Sequence, residues 1–318
     1  MEFVRAVDPD EASRLLTERG AAPLGGGTDL LVTIREGLSS PGRLVDLSRI
    51  PGFGSIDRLA DGSLRIGGGT RLAAIALDRH VVESFPSLAQ ACDAVGSPAL
   101  RNMGTLGGNL CQRPRCWYFR SGIPCLKSGG TTCPAADGEN QHLAILGGGP
   151  CYAVHPSDPA VALVALDARV VVAGPGGEHT VPVESFLVGP RPDPRRETVL
   201  DAGEFVLGIE VPAAAAGGTQ WFAKAIQRGA WDFALASIAA VKRTDGAVRI
   251  VLGGVAPAPW RVNSSVEEDV AAGPLAPDDL DALAERALYD ARPLSKNGYK
   301  VRLATALLRE AMRITSSS

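Results

Sequence analysis

The 318-residue chain has no apolar run approaching the roughly 20 residues that a membrane-spanning helix needs. It also lacks a charge excess: 32 Lys and Arg stand against 35 Asp and Glu, for a formal net charge of -3, so no general basic field invites nucleic acid. Its first residues, MEFVRAVDPDEASRLL, run from a strand-like segment straight into a helix, without the basic, apolar and small-residue regions of an export signal. Cysteine is scarce as well; of 6 in the chain, only Cys92 lies outside residues 104–158. So few cysteines, so crowded, argue against an evenly stapled secreted disulfide scaffold and fit assembly in a reducing compartment.

Glycine is abundant, with 37 residues against 23 prolines, and the apolar segments between them mark tight turns rather than disorder. Asp8, Pro9 and Glu11 predict a capped helix that runs to about Arg19 and closes at Gly20. Strands are expected at 3–6, 43–48 and 64–66, and helices at 71–78 and 85–95. A helix after Asp158, a hairpin over 169–183 and a strand over 205–211 follow. The polar stretch 191–198 reads as an exposed loop. Beyond a boundary at 213–218 come a strand to Ala225, a helix near 233–241, strands around 247–256, and helices over 276–290 and 297–314. The last helix gathers Val301, Ala304, Leu307, Leu308 and Ala311 on one packing face, and Ser316 to Ser318 read as a frayed tail. Short strands mixed with scattered helices predict an α+β fold.

Three glycine clusters carry chemistry: Gly25-Gly26-Gly27-Thr28-Asp29, Gly67-Gly68-Gly69-Thr70, and Gly104 to Asn109, which reads GTLGGN. Glycine lets backbone approach a ligand closely and presents N–H groups to a phosphate, so repeated glycine turns ahead of helices read as an anion cradle. None has the GxGxxG setting of a Rossmann unit. Cys111, Cys116, Cys125, Cys133 and Cys151 then crowd into one irregular stretch. Thiolates are soft ligands, and spacing alone leaves an iron-sulfur cluster, zinc and disulfides open.

Together GGGTDLL (25–31), IGGGTRL (66–72), RNMGTLGGN (101–109), HPSD (155–158) and KAIQRGAWDFA (224–234) resemble the FAD-binding medium subunit of the molybdenum hydroxylases, the xanthine dehydrogenase group. The added cysteine-bearing segment between Asn109 and Asp158 is similar to that of 4-hydroxybenzoyl-CoA reductase and, more closely, of periplasmic-type aldehyde oxidoreductases, whose medium subunits hold an extra [4Fe-4S] cluster. The resemblance implies a two-subdomain FAD-binding fold (PCMH or vanillyl-alcohol-oxidase-like) in 1–54 and 55–216, with an iron-sulfur insertion at 111–151. An α+β domain with a small antiparallel sheet and helices would fill 217–318. It further implies that Gly25, Gly26, Gly27, Thr28, Asp29, Leu30, Gly104, Thr105, Gly107, Gly108 and Asn109 wrap the FAD diphosphate. Ser157 and Asp158 would bond the cofactor's sugar, Leu207 would pack near the flavin ring and Lys224 would approach its polar edge.

By the same resemblance Cys116, Cys125, Cys133 and Cys151, with 8, 7 and 17 residues between them, are the cluster ligands. Cys111, His142 or His155 would substitute if that register is wrong. Cys92 reads as a small buried hydrophobe and Trp117, Tyr118 and Phe119 as a shield around the cluster, while Arg228 and Asp232 read equally as part of the flavin-facing Lys224 segment or as a surface ion pair. The implied function is an oxidoreductase subunit that passes electrons from a molybdenum-cofactor large subunit and a [2Fe-2S] small subunit through FAD to an external acceptor. No membrane insertion is implied. The expected compartment is the cytoplasm, or the periplasm by export of the folded complex on a partner's twin-arginine signal. Two rivals remain, a stand-alone flavin reductase resembling UDP-N-acetylenolpyruvoylglucosamine reductase and a zinc-stapled interaction module.

Overall fold

A computed structural model describes every residue except Pro192, Ala230 and Ser318. Three small sheets follow one another along the chain. Strands β1 (Glu2–Arg5), β2 (Ala21–Leu24) and β3 (Arg43–Asp46) form a parallel sheet in the order β1-β3-β2. Its crossover helix, Pro9–Thr17, starts where expected because the Asp8 carboxylate accepts from the Glu11 N–H at 2.7 Å.

The second sheet contains β4 (Ile56–Arg58), β5 (Leu64–Gly67), β6 (Arg169–Gly174), β7 (Gly177–Pro182) and β8 (Phe205–Val211), ordered β4-β5-β8-β6-β7 and antiparallel throughout. The hairpin β6-β7 and the strand at 205–211 stand as the alternation predicts; β4 has only 3 residues and too little pattern to be seen in advance. Helices Leu72–Leu77, Pro86–Asp93 and Asp158–Ala165 form the largest core between this sheet and the third, whose Phe222, Ala239, Val241 and Val251 belong to it. The expected 85–95 helix ends at Asp93 and is preceded by a separate helix, Arg79–Ser84, the two being divided at Phe85 and Pro86.

The third sheet is antiparallel, ordered β12-β11-β10-β9, with β9 (Thr219–Ala225), β10 (Ala236–Lys242), β11 (Val248–Gly253) and β12 (Trp260–Arg261). The helix expected near 233–241 is therefore wrong. ASIAAVK is the central strand β10, buried over six of its seven residues, and a continuous run of small apolar residues has no period by which a strand differs from a helix. A helix not foreseen, Ser264–Ala271, joins Pro277–Ala287 and Tyr299–Ser316 over the sheet. Ser316 is the last helical residue and is buried, so the tail does not fray there; Ser318 lies outside the described residues. No helix among the described residues is long and apolar enough to cross a membrane.

Leu308 is fully buried between the last helix and the third sheet. Leu308→Ala is expected to lower stability by about 2–5 kcal/mol, read as a fall in the denaturation midpoint.

Candidate functional site

The glycine clusters are brought together as one backbone platform. A Cβ on Gly26 would sit 1.8 Å from the Met103 carbonyl oxygen, and one on Gly25 would sit 2.7 Å from the Thr105 hydroxyl. The second cluster enters from the other side: Gly107 donates its N–H to the Gly68 carbonyl at 2.8 Å, and Leu106 donates to Thr70 at 2.9 Å. A Cβ on Gly68 would meet the Val206 carbonyl at 2.3 Å. The third cluster does not follow a strand, as the sequence reading has it. It joins the helical turns Pro98–Arg101 and Leu106–Leu110, so Gly107, Gly108 and Asn109 are helical, and the Thr105 hydroxyl caps the turn by accepting from the Gly108 N–H at 3.3 Å.

A cavity of about 410 Å³ opens on this platform, walled by Thr28, Asp29, Gly104, Thr105, Gly108 and Asn109 and faced by Lys224 and Phe233. It continues into a second cavity of about 660 Å³, the two sharing Arg115, Pro156, Asp158, Arg228, Asp232 and Phe233. Gly25, Gly26, Gly27, Leu30 and Gly107 lie behind this wall rather than on it. Leu207 corrects its expected role. Its side chain belongs to the buried cluster with Phe53 and Phe205, and what it gives the platform is a carbonyl that accepts from the Gly68 N–H at 2.8 Å. Asp29 also differs from expectation: its carboxylate accepts from the Arg113 N–H at 2.8 Å and pairs with Arg115 and Arg120. Burial raises its pKa, the Arg113 N–H and the charges of Arg120 and Arg113 opposing that rise.

Arg228 and Asp232 are not the expected simple ion pair. The Asp232 carboxylate accepts from the main-chain N–H groups of Gln227 and Arg228, each at 3.2 Å, while the Arg228 guanidinium donates to the Trp231 carbonyl. Ala230, inside this motif, lies outside the described residues. Trp231 is exposed with φ 56°, and Phe233 lies under the Arg115 guanidinium at 5.1 Å. Arg115 and Phe233 were not singled out from sequence, although the arginine-rich start of the insertion, RPRCWYFR, was the available signal.

Cys116, Cys125, Cys133 and Cys151 line one small closed cavity together with Tyr118, Phe119, Leu126, Pro134, Ala135 and Ala153. All six cysteines are free. Cys111 faces the main core instead, where burial pushes its thiol up to about 12, and Cys92 is buried in that same core. His142 and His155 line the larger cleft, not the thiol cavity. Trp117 does not shield the thiols as expected; it is 59% exposed and lies tilted against His142 at 5.8 Å. Among the described residues no three His, Cys, Asp or Glu side chains are grouped to hold a metal ion. Cys116 lines both the thiol cavity and the cleft.

Several buried polar groups of the cleft are tied to one another. Lys224 pairs with Asp158 at 2.7 Å, both nearly inaccessible, and donates to the Ala94 carbonyl at 3.0 Å. Burial raises the Asp158 carboxyl's pKa, and Lys224 opposes the rise. Ser157 caps helix Asp158–Ala165 and donates to the Asn109 side chain, tying HPSD to the platform. His155 contacts the Leu110 carbonyl through Nε2 at 3.1 Å and accepts from the Ser157 N–H at Nδ1, which fixes the neutral tautomer with Nε2 protonated. Burial first, and then the Lys127 charge, lower its pKa from 6.5 to about 4, the bond to Leu110 opposing. Between these values the unfolded chain binds the extra proton. Stability from this group is therefore complete above about pH 6.5 and falls as pH drops toward 4, by up to about 1.4 kcal/mol per unit. Urea unfolding from pH 4 to 7 should show this slope, and His155→Gln should flatten it.

Residues 1–214 match the family described as FAD binding domain in molybdopterin dehydrogenase. The chain is 34% identical over 312 residues to the aldehyde oxidoreductase FAD-binding subunit PaoB of Escherichia coli K12, covering 96% of this chain and 95% of that one. It is 29% identical to the carbon monoxide dehydrogenase medium chain of Hydrogenophaga pseudoflava, over 79% of this chain and 73% of the other. A solved carbon monoxide dehydrogenase from that organism superposes with a TM-score of 0.77 at 25% identity, over 99% and 96% of the two chains. Quinoline 2-oxidoreductase from Pseudomonas putida 86 shares the fold, with a TM-score of 0.75 at 22% identity over 99% and 96%. All three glycine loops lie within the matched 1–214 span, and the chain belongs to the FAD-binding subunit family of the molybdenum hydroxylases.

Proposed function

We propose that this chain carries FAD in the cleft and a [4Fe-4S] cluster in the thiol cavity, as the electron-transfer subunit of a heterotrimeric molybdenum-dependent aldehyde oxidoreductase or dehydrogenase. The observation that carries the reading is Cys116, which lines both spaces and so puts one thiol between a flavin cleft and a cluster site. In this reading the partners are a molybdenum-cofactor large subunit and a [2Fe-2S] small subunit, and an external acceptor takes the electrons. The chain divides at 54 and 216 into two FAD-binding subdomains and a C-terminal domain. The complex works in the cytoplasm, or in the periplasm if it is exported folded.

FAD fits the platform chemically. A diphosphate would lie against side-chain-free backbone there, since the close approaches at Gly25, Gly26 and Gly68 leave no room for a Cβ on those residues. Thr28, Thr105, Gly104, Gly108 and Asn109 would hold the diphosphate side, while Ser157 and Asp158 would bond the sugar. Lys224, already shared with Asp158, would place its charge near the flavin's polar edge. When bound, FAD accepts electrons singly and delivers them singly or in pairs. Cys116, Cys125, Cys133 and Cys151 bring four soft thiol donors to one space, the donor set that a [4Fe-4S] cluster would take. Tyr118 and Phe119 would keep water from it. A stand-alone reductase leaves that cavity without a role.

Chain purified without oxygen should carry one FAD and about four irons, with a broad absorption that dithionite bleaches. Flavin without iron would refute the cluster, and zinc in place of iron would support the single-ion alternative. Cys125→Ala combined with Cys133→Ala should remove the iron and leave most of the FAD. Gly26→Ala should abolish FAD retention because its Cβ meets fixed backbone, whereas Gly42→Ala, with open space around it, should retain FAD like the wild type.

A further inference from the structure

We infer that Asp29 is a positioning residue that latches the first glycine loop to the cysteine-bearing insertion. The inference rests on the reading that the cleft holds FAD. Asp29 closes the GGGTD sequence, one residue before helix Leu30–Arg35, and its side chain is only 15% exposed. Every polar partner it has there comes from the start of the insertion: the Arg113 N–H, the Arg115 guanidinium and the Arg120 guanidinium at 2.8 Å. These partners are themselves tied inward, Arg115 to the Arg113 carbonyl and the Gln112 side chain, and Arg120 to the Pro114 and Arg113 carbonyls.

The two arginines therefore fold the 113–120 turn around one carboxylate, and Cys116 is carried on that turn. A second carboxylate fixes the same segment from the far side: Glu197 pairs with Arg113 at 2.9 Å and with Lys127 at 2.7 Å, two residues beyond Cys125. The insertion thus hangs between Asp29, on the glycine platform, and Glu197. Carboxylate pairs held by several partly buried donors keep their geometry far better than exposed ones. Position of the insertion and position of the first glycine loop become one variable. The reciprocal follows by linkage: what orders the thiol cavity tightens FAD, and FAD tightens the cavity.

Arg120 gives the test, because it lines none of the three cavities. FAD affinity would be measured by flavin fluorescence for wild type, Arg120→Gln, Asp29→Asn and the double variant, with the visible circular dichroism of bound flavin as a signature of its seat. Arg120→Gln should weaken FAD about tenfold, as loss of a charged hydrogen bond predicts, and change the flavin dichroism. The double variant should be no weaker than Asp29→Asn alone. Arg120→Lys, a milder change that keeps the charge, should restore most of the affinity and covers the case in which Arg120→Gln fails to fold. FAD affinity unchanged in Arg120→Gln, or effects that add in the double variant, would overturn the latch. Failure of the wild type to bind FAD would instead refute the reading on which it rests.

Discussion

Gly26 lies against the Met103 carbonyl with no space for a side chain, and the site is built outward from that contact. It holds the end of β2 against the 104–109 turn, and the Gly68 carbonyl grips the same turn from the second sheet. Two sheets that share no strand thereby gain a backbone link beside the side-chain core in which Leu16 and Val45 cluster with Val171 and Phe205. A platform of backbone held by its own hydrogen bonds has no side-chain rotamers to freeze, so whatever binds it meets a surface already in place. The glycines matter for proximity more than for dihedral freedom, since only Gly27 of the first cluster has a positive φ.

Charge in the cleft is arranged in closed sets. Lys224 with Asp158, and Arg115 and Arg120 with Asp29, each pair a carboxylate whose pKa burial raises. The insertion enters this scheme as structure before chemistry, because its arginines and its cysteines share one turn. Cys116 is therefore fixed at the boundary of cleft and thiol cavity by its neighbours on both sides, Arg115 toward Asp29 and Phe119 toward the cavity wall.

The choice of four cysteines out of five came from the family resemblance, whereas the glycine clusters were legible in the sequence because each depends on residue type at short range. Asp8, the hairpin at 169–182 and the strand 205–211 were legible for the same reason. What failed depended on partners far along the chain. β10 looks helical until two neighbouring strands and the covering helices are seen, and Leu207 looks like a cofactor contact until its face of β8 is known. Trp117 shares the cysteine turn but points the other way. Asp29 reads as part of a phosphate loop because its partners are 84 to 91 residues away.

Diffraction from anaerobically grown crystals at the iron absorption edge tests the two-centre account most directly. The account predicts an anomalous iron peak ringed by Cys116, Cys125, Cys133 and Cys151, with FAD density in the cleft and its diphosphate against residues 104–109. An iron peak elsewhere, a zinc edge at the thiols, or FAD outside the cleft would contradict it.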